Sequence, residues 1–105
     1  MGRREKLEAL LAESPQDSFL RYALALEFVS AGEDRQAVSH LESLAGLDPG
    51  YVPTYLQLAQ IQVRLGESDS ARPVLLRGLE AARRAGDQHA EDELRGLLDQ
   101  ITSSP

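Results

Sequence analysis

Catalysis needs a nucleophile, a titratable base or a set of metal ligands within reach of one another, and this chain offers few candidates. Its two histidines are His40 and His89. Glu93 follows His89 by four residues, a spacing that puts an imidazole and a carboxylate on one face of a helix. A lone pair of this kind on a surface helix reads as solvated, so no metal site is expected. The chain has no cysteine, which excludes disulfides, thiolate metal sites and a cysteine nucleophile. The serines have no plausible base beside them, and no glycine-rich phosphate loop appears. The run Glu91, Asp92, Glu93 has the makings of a carboxylate pair. It falls, however, in the first turn of a helix, where acidic side chains offset the macrodipole. Arg77, Arg83 and Arg84 could attract an anion, yet arginines near a helix C-terminus follow the ordinary electrostatic preference. The residues therefore point to a protein that is not an enzyme, with no cofactor and no metal.

Composition narrows the classes further. Seventeen acidic against eleven basic residues give a net charge of -6, which opposes approach to a phosphate backbone or an anionic lipid surface, so neither nucleic acid nor membrane is an expected partner. At 105 residues the chain is long enough for one domain with a modest core, and its apolar set is dominated by Leu and Ala, which favours helix over sheet. The start, MGRREKLEALLAES, interleaves charge with leucine and lacks the unbroken apolar stretch of a secretion signal. No later segment reaches the roughly 18 apolar residues of a membrane span. The reading is a soluble, cytoplasmic protein.

The elements that would position any site emerge when the sequence is slid against itself by 34 residues. Pro15 then falls on Pro49, Leu24 on Leu58, Ala25 on Ala59, Val29 on Val63, Gly32 on Gly66, Glu33 on Glu67, Ala37 on Ala71 and Leu41 on Leu75. Upstream, Leu7 falls on Leu41, Glu8 on Glu42 and Leu10 on Leu44. A repeat of this length made of two helical patterns is the signature of a helix-hairpin solenoid. Gly32 and Gly66 stand where a first helix must end in a left-handed residue. Pro15 and Pro49 close a second helix, and Pro53 suits the first turn of the next, where no helical N–H is needed. Six helices are expected, over Arg3 to Glu13, Asp17 to Ala31, Asp34 to Gly46, Val52 to Leu65, Ser70 to Ala85 and Gln88 to Ile101. Pro73 argues that the fifth starts late, with Ser70 as its cap, or kinks. The tail, Thr102 to Pro105, is expected to fray.

These residues resemble the tetratricopeptide repeat, a 34-residue helix-turn-helix unit that stacks into a right-handed superhelix. The first unit presents Leu24, Ala25 and Phe28, the second Tyr55, Leu58 and Ala59, where the family has its large, leucine, small and aromatic positions. Gly32-Glu33 and Gly66-Glu67 match the turn, and Ala37 and Ala71, followed by Leu41 and Leu75, match the second helix. The small residues let helix backbones approach while the leucines fill the grooves. Arg21 stands in place of the anchoring aromatic, Gln62 replaces the later aromatic, and Arg83 replaces the closing proline, so the fifth helix should run on to the turn Ala85-Gly86-Asp87. The expected fold is an all-α, antiparallel helix-hairpin solenoid in a single domain, 1–105. It divides into an N-terminal half-repeat helix (1–14), repeat one (17–50), repeat two (51–85) and a C-terminal capping helix (88–101).

The resemblance also implies a site. In the family the first helix of each unit lines a concave groove, and by position that stripe is Phe19, Tyr22, Ala23, Leu26, Val29 and Ser30, continued by Leu56, Gln57, Gln60, Val63 and Arg64. Steps of three and four residues place them along one helix face. Some members clamp a peptide's terminal carboxylate with lysine and asparagine. Here Tyr22, Leu26 and Gln57 occupy those places, which argues against that mode. The implied function is a protein–protein interaction scaffold that takes a protein or peptide partner in this groove. The alternative is a self-assembly module, a homodimer with no separate ligand.

Overall fold

The computed structural model of the protein describes residues 2–103. Six helices follow one another: α1 (Arg3–Glu13), α2 (Ser18–Ser30), α3 (Asp34–Leu47), α4 (Pro53–Arg64), α5 (Ser68–Ala85) and α6 (Gln88–Thr102). No strand occurs among the described residues. Each helix packs on its neighbours in the chain, and α6 also reaches α4, which gives an elongated stack of 45 × 29 × 20 Å. This is the all-α helix-hairpin solenoid that the 34-residue period implies.

The turns form as their residues dictate. Gly32 and Gly66 adopt φ of 75° and 79°, and in each case the next residue, Glu33 or Glu67, donates its N–H back to the carbonyl of Phe28 or Gln62. This is the Schellman closure of a helix end, and a side chain at either glycine would be strained. Gly86, at φ 68°, ends α5 in the same conformation. The acidic residue after each of the first two glycines is held from the preceding second-type helix, Glu33 by Arg4 and Glu67 by Arg35, both at 2.9 Å.

Of two departures from the repeat, Arg21 finds compensation among the described residues and Gln62 does not. Tyr55 in the second unit donates its hydroxyl to the Pro49 carbonyl, and Arg21, the residue 34 positions earlier, donates its Nε to the carbonyl of Pro15 at 2.7 Å. The guanidinium thus supplies the same tether as the phenol. Gln62 occupies the place where Phe28 stacks on His40 in the first unit (4.7 Å, 18°). It is buried, and its Oε1 has no hydrogen-bond partner.

Helix α5 corrects the expected start at Ser70. The turn at Gly66 delivers the chain into helix at Ser68, with Glu67 accepting from Ser70 and Ala71, so Pro73 becomes the sixth helical residue. Its ring removes the N–H that would bond the Asp69 carbonyl. Both residues lie on the exposed face, where a lost backbone bond costs less than in the core. At the other end, Thr102 belongs to α6, its hydroxyl donating to the Leu98 carbonyl at 2.7 Å, and Ser103 follows as the cap. Ser104 and Pro105, the rest of the expected frayed tail, lie outside the described residues.

The main core runs through α3, α4 and α5, where Ala37, Leu41, Leu58, Ala59, Ala71, Leu75 and Ala82 are fully buried, and is continued by Leu94 and Ile101 of α6. A smaller cluster of Leu7, Ala23 and Leu24 joins α1 to α2. The closest approach lies at Gly78, where a Cβ would stand 2.6 Å from Tyr55 Cβ and 3.1 Å from Leu94 Cδ2.

Candidate functional site

The candidate residues for chemistry stay apart. His40 is packed on α3 against Phe28, and burial, aided by the positive charges of Arg21 and Arg4 against the opposing Glu8, holds its pKa below the ordinary 6.5. His89 sits at the start of α6 with its Nε2 3.3 Å from Glu93 Oε1. Among the described residues, no group of three or more His, Asp or Glu side chains is placed to hold a metal ion. Arg83 and Arg84 both bond Glu80, and Arg83 also reaches Glu91 at 4.0 Å, so their charges are largely met within α5 and α6.

By alternation α6 stands where the first helix of a further unit would stand, so α2, α4 and α6 together present the face that the resemblance marks as concave. Tyr22 on α2, Leu56 and Gln57 on α4, and Ala90 and Glu93 on α6 surround a hollow of about 210 Å³ there. Tyr22 is partly buried, and burial raises its pKa above the ordinary value while the neighbouring Gln57 side chain opposes the rise. The Tyr22 ring meets that of Tyr51, in the turn before α4, at 5.7 Å and 57°. Tyr51 is likewise raised, first by burial and then by the negative charges of Asp17 and Asp48.

Of the stripe residues inferred from sequence, the structure brings Tyr22, Leu56 and Gln57 to this hollow. Val29 and Val63 are partly buried against the main core farther along α2 and α4, and Leu26 is partly exposed. Ala23 is buried in the smaller cluster, while Ser30 and Gln60 face solvent. Phe19 stands 66% exposed at the start of α2. Arg64 is bound bidentately by Asp34, at 2.9 and 3.2 Å. Sequence reasoning missed the contribution of α6, namely Asp87, His89, Ala90, Glu93 and Leu94. The signal was available: Ala90, Leu94, Leu97, Leu98 and Ile101 recur at helical spacing, and a helix that follows a second-type helix must be a first-type one.

A larger hollow, about 510 Å³, opens between the end of α3, the Pro49-Gly50 turn and the last turns of α5. It exists because Ala81 and Ala85 are short and because α5, lacking a closing proline, runs four residues longer than α3, 18 against 14. Its Glu80 is tied to Arg83 and Arg84, and Arg77 stands over the Tyr55 ring at 5.9 Å.

The paired helices, the glycine turns and a groove built from alternate helices define a helical-repeat scaffold. A tetratricopeptide repeat model matches residues 28–100, and the chain belongs to the tetratricopeptide repeat family. It is 31% identical over 94 residues to a TPR repeat-containing protein of Pseudomonas aeruginosa, spanning 90% of each chain. The crystal structure of a tetratricopeptide repeat domain protein from Salinibacter ruber superposes with a TM-score of 0.81 at 34% identity, over 85% of this chain and 99% of that one. PcrH, solved in complex with the chaperone binding region of PopD, superposes with a TM-score of 0.87 at 18% identity, over 95% of this chain and 76% of that one, a likeness of fold.

Proposed function

We propose that this protein is a protein–protein interaction scaffold that takes a segment of a partner protein on the face formed by α2, α4 and α6, without catalysing a reaction. The observation that carries this reading is the hollow around Tyr22, Leu56 and Gln57, where an apolar floor meets polar side chains contributed by different helices. PcrH, which shares the fold, is complexed with a region of PopD, and tetratricopeptide proteins as a class are binding scaffolds. The neighbouring stripe, Phe19, Leu26, Val29, Gln60, Val63 and Arg64, extends the surface along the same two helices. No helix among the described residues is long and apolar enough to cross a membrane, and the proposed setting is the cytoplasm.

The test places charge in the groove. Tyr22→Glu with Leu26→Glu leaves the turn glycines and the alanine and leucine core of the stack intact. The double variant should keep its helical circular dichroism and its cooperative melt while losing a partner captured by the parent protein. Loss of the cooperative melt would show the stripe to be core, and a folded variant that keeps every association would dispose of the groove. A second reading, a homodimer, draws on the exposed Phe19 and Leu10 beside the open end of the stack at α1. Light scattering across a range of concentrations separates the two, since only a self-associating chain gains mass with concentration.

A further inference from the structure

We infer that the groove selects a basic segment, one that sets a lysine or arginine side chain beside an apolar anchor; this rests on the groove reading above. The first observation is how the carboxylates are distributed. Among the described residues every arginine ion pair lies elsewhere, on Glu27, Glu33, Asp34, Glu67, Asp69, Glu80 and Glu91. Two carboxylates, Asp87 and Glu93, line the hollow, two more, Asp17 and Asp48, lie near Tyr51, and all four have only weaker partners. Asp87 accepts from the Ala90 N–H as the cap of α6, and Glu93 lies beside His89. Asp17 caps α2 through the Leu20 N–H, and Asp48 accepts from the Ser18 hydroxyl. No lysine or arginine lines the hollow.

The second observation is aromatic. The Tyr22 ring, which lines the hollow, meets that of Tyr51, near which Asp17 and Asp48 lie, and ring faces beside carboxylates attract an ammonium or guanidinium group. Leu56 and Ala90 supply the apolar floor against which the stem of a long cationic side chain, or a neighbouring leucine, can lie. An acidic segment would meet the like charge of Asp87 and Glu93, and no lysine or arginine among the described residues lines the hollow to close a carboxylate clamp.

The measurement is fluorescence anisotropy of a 12-residue peptide of alternating leucine and lysine, set against its glutamine and glutamate analogues. The lysine peptide should bind at least about tenfold more tightly than the glutamate peptide, with an advantage that shrinks as salt is raised. Asp87→Asn with Glu93→Gln should weaken the lysine peptide about fivefold, the asparagine still capping α6. Glu8→Gln with Glu42→Gln removes the same net charge at a distance and should leave binding unchanged. Should the Asp87 change loosen α6, Tyr51→Leu with Glu93→Gln tests the same rim without touching the cap. Equal binding of all three peptides, binding of none, or equal loss in the distant pair would overturn the assignment. If the Tyr22→Glu and Leu26→Glu variant loses a cellular partner while the lysine peptide shows no preference, the charge selection falls and groove binding stands. If that variant keeps all partners, the groove reading itself fails.

Discussion

At the scale of single residues, the glycines divide by what surrounds them. Gly78 lies where α5 meets α4 and α6, and a methyl group there would overlap Tyr55 Cβ and press on Leu94. Gly96 lies on the exposed side of α6 with nothing within 4 Å of an added Cβ. The same substitution should therefore change sign between them. Gly96→Ala should raise stability by about 0.5–1 kcal/mol by reducing backbone entropy in the unfolded chain. Gly78→Ala should lower it by about 1–3 kcal/mol despite the better helix propensity, because backbone or core must shift. Denaturant melts of the two variants decide it, and a stabilised Gly78→Ala would mean the helices can part at no cost. His40 gives a pH signature. Burial and the nearby arginines depress its folded pKa, so the unfolded chain binds the proton more readily below 6.5. The stability that neutral His40 contributes is present above 6.5 and is lost as pH falls through the folded value. The melting temperature should drop across that window, and in His40→Gln the drop should be reduced; an unchanged slope would place the titration elsewhere.

At the scale of elements, each helix pair depends on one small residue and one turn. Ala37 and Ala71 are fully buried 34 residues apart, each at the crossing of a second-type helix with the core, and Gly66 holds a left-handed turn. Ala37→Leu and Ala71→Leu should each cost about 1–3 kcal/mol by overpacking, and Gly66→Val a similar amount through strain at positive φ. Unchanged melting temperatures for both alanine variants would contradict the shared register. Most of this architecture was legible in the chain because it is written in residue types with narrow conformational uses: glycine at positive φ, proline at helix ends, alanine at close contacts. What was not legible lay where the chain departs from its own period. The start of α5 at Ser68 depends on the preceding turn overriding Pro73, and propensity alone favours the later start. The groove was half legible. The period marks the faces of α2 and α4, whereas α6, which repeats none of the α4 residues at the 34-residue offset, supplies Asp87, Ala90 and Glu93 through its packing on α4 and α5. The pairing of Tyr22 with Tyr51 depends on the path of the turn before α4, which no spacing rule specifies.

At the scale of the whole molecule, a stack in which each helix touches mainly its neighbours distributes stability unevenly along its length. The main cluster joins α3 through α6 with contributions from α2, whereas α1 is held by Leu7 and Leu11 on α2 and by the ion pairs of Arg3 with Glu27 and Arg4 with Glu33. The contrast between equivalent residues is direct: Leu44 in α3 is fully buried, while Leu10, 34 residues earlier in α1, is 48% exposed. Exposed ion pairs add little, about 0–1 kcal/mol each. Helix α1 should therefore open without the rest. Native-state hydrogen exchange should show amides of α1 exchanging well before those of α4 and α5, with α6 protected nearer to the level of α5 because Leu94 and Ile101 belong to the main core. A low concentration of denaturant should leave the α1 rates nearly unchanged, as expected of a local opening that exposes little surface, while the slowest amides of α4 and α5 accelerate with the full dependence of global unfolding. Exchange from α1 at the same free energy as from α5 would instead make the stack a single cooperative unit. In that case a partner seated at the α1 end would meet a surface as rigid as the groove, rather than one whose terminal helix can swing aside.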